Sequence, residues 1–79
     1  MTELIEENYR SIIKRGLIAP KTSMQDFTNK LDEEVEEFKE AYEAEELADI
    51  ILVCLNIAKH FGIDIEKELL NKIEINKNR

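Results

Sequence analysis

Apolar residues recur at spacings of three and four along most of this chain, and the runs they form are interrupted by its only two glycines and single proline. That period is the mark of amphipathic helices, so an all-α fold is expected. A first helix should run from Thr2 to Arg15, with Leu4, Ile5, Tyr9, Ile12 and Ile13 on one face. Lys14 and Arg15 suit its C-terminus, and Gly16 ends it. After the loop GLIAPKTS, Thr22 and Ser23 can cap a second helix, with Gln25 three residues past Thr22 in capping-box position. Met24, Phe27, Leu31, Val35, Phe38 and Tyr42 form its apolar stripe, and the helix ends near Tyr42. A third helix is expected from Glu45 to Phe61. Gly62 stops it, and Asp64 caps a fourth helix that begins near Ile65 and should bury Ile65, Leu69, Leu70 and Ile73.

After its first turn the third helix is apolar on nearly every side, from Leu47 through Ala58. Such a helix must be covered on nearly every side. One domain of 79 residues has too few other helices to do so, and a chain this short buries only roughly 60% of its unfolded surface. The lone cysteine, Cys54, excludes an internal disulfide. Both observations point to a homodimer or homotetramer, a helical bundle shared between copies.

Charge narrows the partners. A formal net charge of -7 argues against a nucleic-acid polymer, which is bound through lysine and arginine. One His and one Cys cannot build a structural zinc site. The start MTELIEENYR is acidic where a secretory signal is basic and then apolar. The longest apolar run, Ile50 to Leu55, is far shorter than the roughly 20 residues of a membrane span. The expected setting is cytoplasmic, with no membrane contact.

The acids are not evenly spread. Residues 32 to 49 hold ten carboxylates and one lysine, Lys39. Like charges three or four positions apart on a helix cost a few tenths of a kcal/mol per pair, so some interaction should offset them. On a helical wheel Glu34 and Glu37 share a stripe with Lys30, beside the apolar stripe, whereas Glu36 and Glu40 point outward. Glu46 and Asp49 form an i, i+3 pair on the third helix, a line continued by Val53, Asn56 and His60. If the second and third helices make an antiparallel hairpin, 34 pairs with 49 and 37 with 46, both pairs centring on 41.5. Four carboxylates would then converge across one seam. Hard oxygen ligands of this kind suit Mg2+ or Mn2+, and magnesium keeps coordination positions for water and phosphate oxygens. The plain alternative is a solvated acidic hairpin.

At the C-terminus Lys72, Asn76 and Arg79 fall at i, i+4 and i+7, beside the Leu69 and Ile73 stripe. They could grip a phosphate oxygen or a base edge, or simply complement the helix dipole. Ser11 and Ser23 lie away from the only histidine, and no glycine-rich loop is present to cradle phosphates.

These residues resemble a known family, the MazG-like nucleoside triphosphate pyrophosphohydrolases of the all-α NTP pyrophosphatase superfamily. Its pattern, Glu-Glu-x-x-Glu on one helix and Glu-x-x-Asp on the next, is met by Glu33, Glu34 and Glu37 and then by Glu46 and Asp49. The flanks KLDEEVEEFKEA and EELADIILVCLNIAKHFGIDIEKELLNKIEINKNR are also similar to the family. The resemblance covers Ser23 to Arg79, and the first 22 residues weakly. It implies a single domain over 1–79, a four-helix protomer with an antiparallel metal-binding hairpin in an oligomeric bundle. It further implies Mg2+-dependent hydrolysis of a nucleoside triphosphate between the α and β phosphates, to monophosphate and pyrophosphate, in nucleotide-pool housecleaning. Glu34, Glu37, Glu46 and Asp49 would be metal ligands. Glu33 would orient or deprotonate the attacking water, or bind a further ion. Lys72, Asn76 and Arg79 would contact the triphosphate, across a subunit boundary if need be, and Asn56 would touch substrate. His60 would end the third helix or join the site.

Only eight residues, Phe38 to Glu45, separate the half-motifs, so the hairpin must turn at once and without glycine. Two other functions compete with this one: phosphoribosyl-ATP pyrophosphohydrolase, which shares the chemistry, and a non-catalytic acidic helical module that binds a protein partner.

Overall fold

The computed structural model describes residues 2 to 79. It contains four helices, α1 (Thr2–Lys14), α2 (Met24–Ala41), α3 (Ala44–His60) and α4 (Ile65–Lys77), and no strand among the described residues. The all-α reading therefore holds, with helix ends shifted by a residue or so. None of these helices is long and apolar enough to cross a membrane.

Local chemistry sets the ends. At Gly16, with φ 73, the N–H of Gly16 donates to Ile13 O at 2.9 Å and that of Leu17 to Ile12 O at 3.2 Å. This is the Schellman stop, which requires a left-handed residue and so favours glycine. Ser23 caps α2. Its Oγ accepts from the Asp26 N–H at 3.1 Å, and its own N–H donates to Asp26 Oδ2 at 3.1 Å. The capping-box partner is therefore Asp26 and not Gln25, because with Ser23 as cap the third helical position is 26. Thr22 instead closes the preceding loop, its Oγ1 accepting from the Ala19 N–H at 2.9 Å.

Two residues, Tyr42 and Glu43, reverse the chain between α2 and α3. Where a glycine would be the easy choice, Tyr42 takes the left-handed conformation, φ 53 and ψ 32, and its N–H donates to Phe38 O at 2.7 Å.

The helix α3 is the centre of the fold, with α2 packed along it and α1 packed on it as well. Val53, Leu55 and Ala58 of α3, Phe27 of α2 and Ile18 of the first connection are its buried apolar side chains. His60 ties the pieces together. Its Nδ1 lies 2.7 Å from the Tyr9 hydroxyl of α1, and its Nε2 lies 3.1 Å from the Thr22 carbonyl oxygen. The rings of Phe27 and Phe61 flank it, with centroids 5.0 and 4.9 Å away. His60 thus ends α3 as a structural fastener.

The expectation for α4 needs correction. Ile65 is only half-buried, and Leu69, Leu70 and Ile73 are 44%, 59% and 49% exposed. Among the described residues no other helix packs extensively on α4, so Leu69, Leu70 and Ile73 stay largely uncovered. Leu47 and Ile51 of α3 are also exposed. The radius of gyration, 13.7 Å, exceeds the roughly 12 Å of a compact domain of this length. A single chain leaves its apolar surface partly uncovered.

Candidate metal centre and adjoining cleft

The tight α2–α3 connection brings two levels of the hairpin together. One oxygen from each of Glu34, Glu37, Glu46 and Asp49 lies within 4.8 Å of the others. The i, i+3 spacing on each helix stacks two carboxylates on one face, and the reversal at Tyr42 turns the two faces toward each other. Oxygens bound to one magnesium ion at 2.0–2.1 Å span at most about 4.2 Å. The four oxygens spread over about 0.6 Å more than that, a gap that small χ rotations would close.

Burial and repulsion distinguish this cluster from the other acids. Glu34 is only 6% exposed, and its Oε2 is buried without a hydrogen-bond partner, as is Oε2 of Glu46. A buried carboxylate oxygen left unpaired is costly, so each calls for a cation or a donor. The other oxygen of Glu34 lies 3.0 Å from Lys30 Nζ. That contact holds the Lys30 ammonium above the usual lysine range. Glu37 is pushed up from its ordinary value of 4.5, first by a shared hydrogen bond and charge repulsion with Glu34, then by partial desolvation and by Glu46. Crowded carboxylates resist ionising together, and a bound divalent cation reverses that logic.

Glu34 and Asp49 also line a cleft of about 450 Å3 between α1, α2 and α3. Arg15 and Lys30 bring positive charge to its wall, and Asn8 and Asn56 bring amides. Asn56 is buried, and its Oδ1 accepts from Asn8 Nδ2 at 2.7 Å. Glu33 takes a different position. Its side chain is 67% exposed and lies 3.6 Å from Lys30 Nζ, outside the four-carboxylate cluster. Lys72, Asn76 and Arg79 are exposed on or just after α4, and none of them lines the cleft.

The sequence reading passed over Asn8 and Arg15. Asn8 had a signal, being a polar residue three after Ile5 and four before Ile12, inside the apolar face of α1. Arg15 had none, since it lies past the end of α1 and reaches the cleft only through the path of the connection. Comparison with protein-family profiles, curated proteins and solved structures finds no match to this chain.

Proposed function

We propose that this chain is a Mg2+-dependent nucleotide pyrophosphohydrolase of the MazG-like kind, assembled as a homodimer or homotetramer. The observation that carries the reading is Glu34, buried and with one oxygen unpartnered, one of four converging carboxylates of which it and Asp49 line a cleft. A solvated acidic face would leave Glu34 in water like its neighbours Glu33 and Glu36, whereas Glu34 is only 6% exposed and crowded by Glu37. The exposed apolar residues of α3 and α4 support the assembly.

In this reading Glu34, Glu37, Glu46 and Asp49 hold the divalent cations. When bound, Mg2+ or Mn2+ would neutralise the triphosphate and lower the pKa of a coordinated water. Arg15 and Lys30, on the cleft wall, balance phosphate charge that the carboxylates would otherwise repel. A water oxygen bonds to the α phosphorus, the bond from that phosphorus to the α–β bridging oxygen breaks, and pyrophosphate departs. Glu33 takes the proton of the water, for which its side chain must leave Lys30 and turn into the cleft. Lys72, Asn76 and Arg79 reach the triphosphate only from another subunit, since α4 stands away from the cleft of its own chain.

The test is turnover of a panel of ribo- and deoxyribonucleoside triphosphates, with phosphoribosyl-ATP included, by the native chain and by Glu37→Ala and Asp49→Ala. Activity should disappear in both variants while the helical circular dichroism signal persists. Retained activity in both would refute the assigned centre.

A further inference from the structure

The cleft continues past the carboxylates to the amides of Asn8 and Asn56. From Asp49 to Asn56 is seven residues on one face of α3, a rise of about 10 Å. Leu52 and Val53 lie between them on the cleft wall, and Phe27 and Ile12 face it from α2 and α1. One end of the cleft therefore carries the carboxylates of Glu34 and Asp49, and the other combines apolar side chains with the two amides and the carboxylate of Asp26. A nucleotide has the same polarity, with phosphates at one end and a flat, weakly polar base at the other.

The amide pair is only half used. Asn8 Nδ2 donates to Asn56 Oδ1, and among the described residues neither Asn56 Nδ2 nor Asn8 Oδ1 has a protein partner. Neither atom is sealed from solvent, since the buried unpartnered side-chain oxygens and nitrogens are those of Glu34 and Glu46. A free donor and a free acceptor thus remain on the two linked amides that line the cleft. Every nucleobase offers the complement, a neighbouring acceptor and donor on its pairing edge.

We infer that Asn8 and Asn56 form the nucleobase-reading end of the site, with Asn56 Nδ2 donating to the base and Asn8 Oδ1 accepting from it. This rests on the nucleotide reading above and adds to it the residues that rank one base over another. Holding α1 against α3 is the other work the pair could do, and the experiment separates the two. Asn56→Asp keeps an oxygen for Asn8 Nδ2 and so keeps the link between helices, but replaces the free donor with an acceptor. Asn8→Ala removes both the link and the acceptor.

The experiment measures calorimetric affinities of AMP, GMP, CMP, UMP and ribose 5-phosphate in EDTA, and kcat/KM for the matching triphosphates with Mg2+. The native chain should favour one base, and Asn56→Asp should cut affinity for it about tenfold and reorder the ranking, leaving ribose 5-phosphate unaffected. Asn8→Ala should flatten the ranking. Turnover with a base ranking untouched by either substitution, in proteins of native helicity, would overturn this inference and leave the reaction standing. Base-ranked binding lost in Asn56→Asp, without turnover of any triphosphate, would sustain it and overturn the reaction. No binding of any nucleotide together with no turnover of any triphosphate in Mg2+ would overturn both.

Discussion

Glu34 and Lys30 lie one turn apart on α2 and meet at 3.0 Å, an ammonium group on one oxygen of a carboxylate whose other oxygen has no partner. Lys30 is 56% exposed at its side chain and can swing away, whereas Glu34 is held in place. The lysine is thus a partial counter-charge for a centre that wants a stronger one. Lys30→Met should destabilise the metal-free protein by about 0.5 kcal/mol, the scale of a partly exposed pair. Saturating Mg2+ should shrink that loss. Urea denaturation of both proteins, with EDTA and with Mg2+, checks it.

The crowding of Glu37 sets a pH dependence. Its folded pKa is raised above the ordinary 4.5, so the native metal-free state binds protons more readily than the unfolded chain. The stability it contributes is greatest below that value and is lost as pH rises through the folded pKa. Metal-free protein should therefore gain stability on mild acidification from neutral pH. Glu37→Gln should stabilise it at pH 7 and weaken the pH response in thermal melts.

Asp26 behaves in the opposite sense. The Ser23 N–H and hydroxyl hold its carboxyl below the ordinary 3.8, so its stabilisation is present above that value and lost as pH falls through the folded pKa. The two groups act in different windows. Breaking the cap itself with Ser23→Ala should cost about 1 kcal/mol at neutral pH, read as a lower denaturation midpoint.

Tyr42 offers a stabilising change. A left-handed φ of 53 costs a residue with a Cβ about 1 kcal/mol, and the side chain is 75% exposed, so little packing opposes its removal. What would be lost is an edge contact with Phe38 at 5.7 Å. Tyr42→Gly should leave stability equal or raise it by up to about 1 kcal/mol in urea titration. A clear loss would mean that the Phe38 contact sets the turn.

The carboxylate cluster was legible because it depends on two strictly local rules, the i, i+3 spacing and the shared midpoint of 34 with 49 and 37 with 46. Helix starts and stops at Gly16, Ser23 and Asp64 followed from short-range capping chemistry for the same reason. The burial of Leu69, Leu70 and Ile73 could not be read, since periodicity names an apolar face but not the surface that covers it. The Asn8–Asn56 bond spans 48 positions, and His60 reaches Tyr9 and Thr22 across 51 and 38. Such contacts exist only once α1 has been placed on α3, a choice that no local pattern encodes.

Phosphorus NMR of the purified protein with nucleoside triphosphates, in Mg2+ and again in EDTA, reads the reaction at the bond that breaks. Monophosphate and pyrophosphate should appear in equal amounts in Mg2+ alone, with no diphosphate. If those products form in Mg2+ from no triphosphate and not from phosphoribosyl-ATP, the chain is not a nucleotide pyrophosphohydrolase.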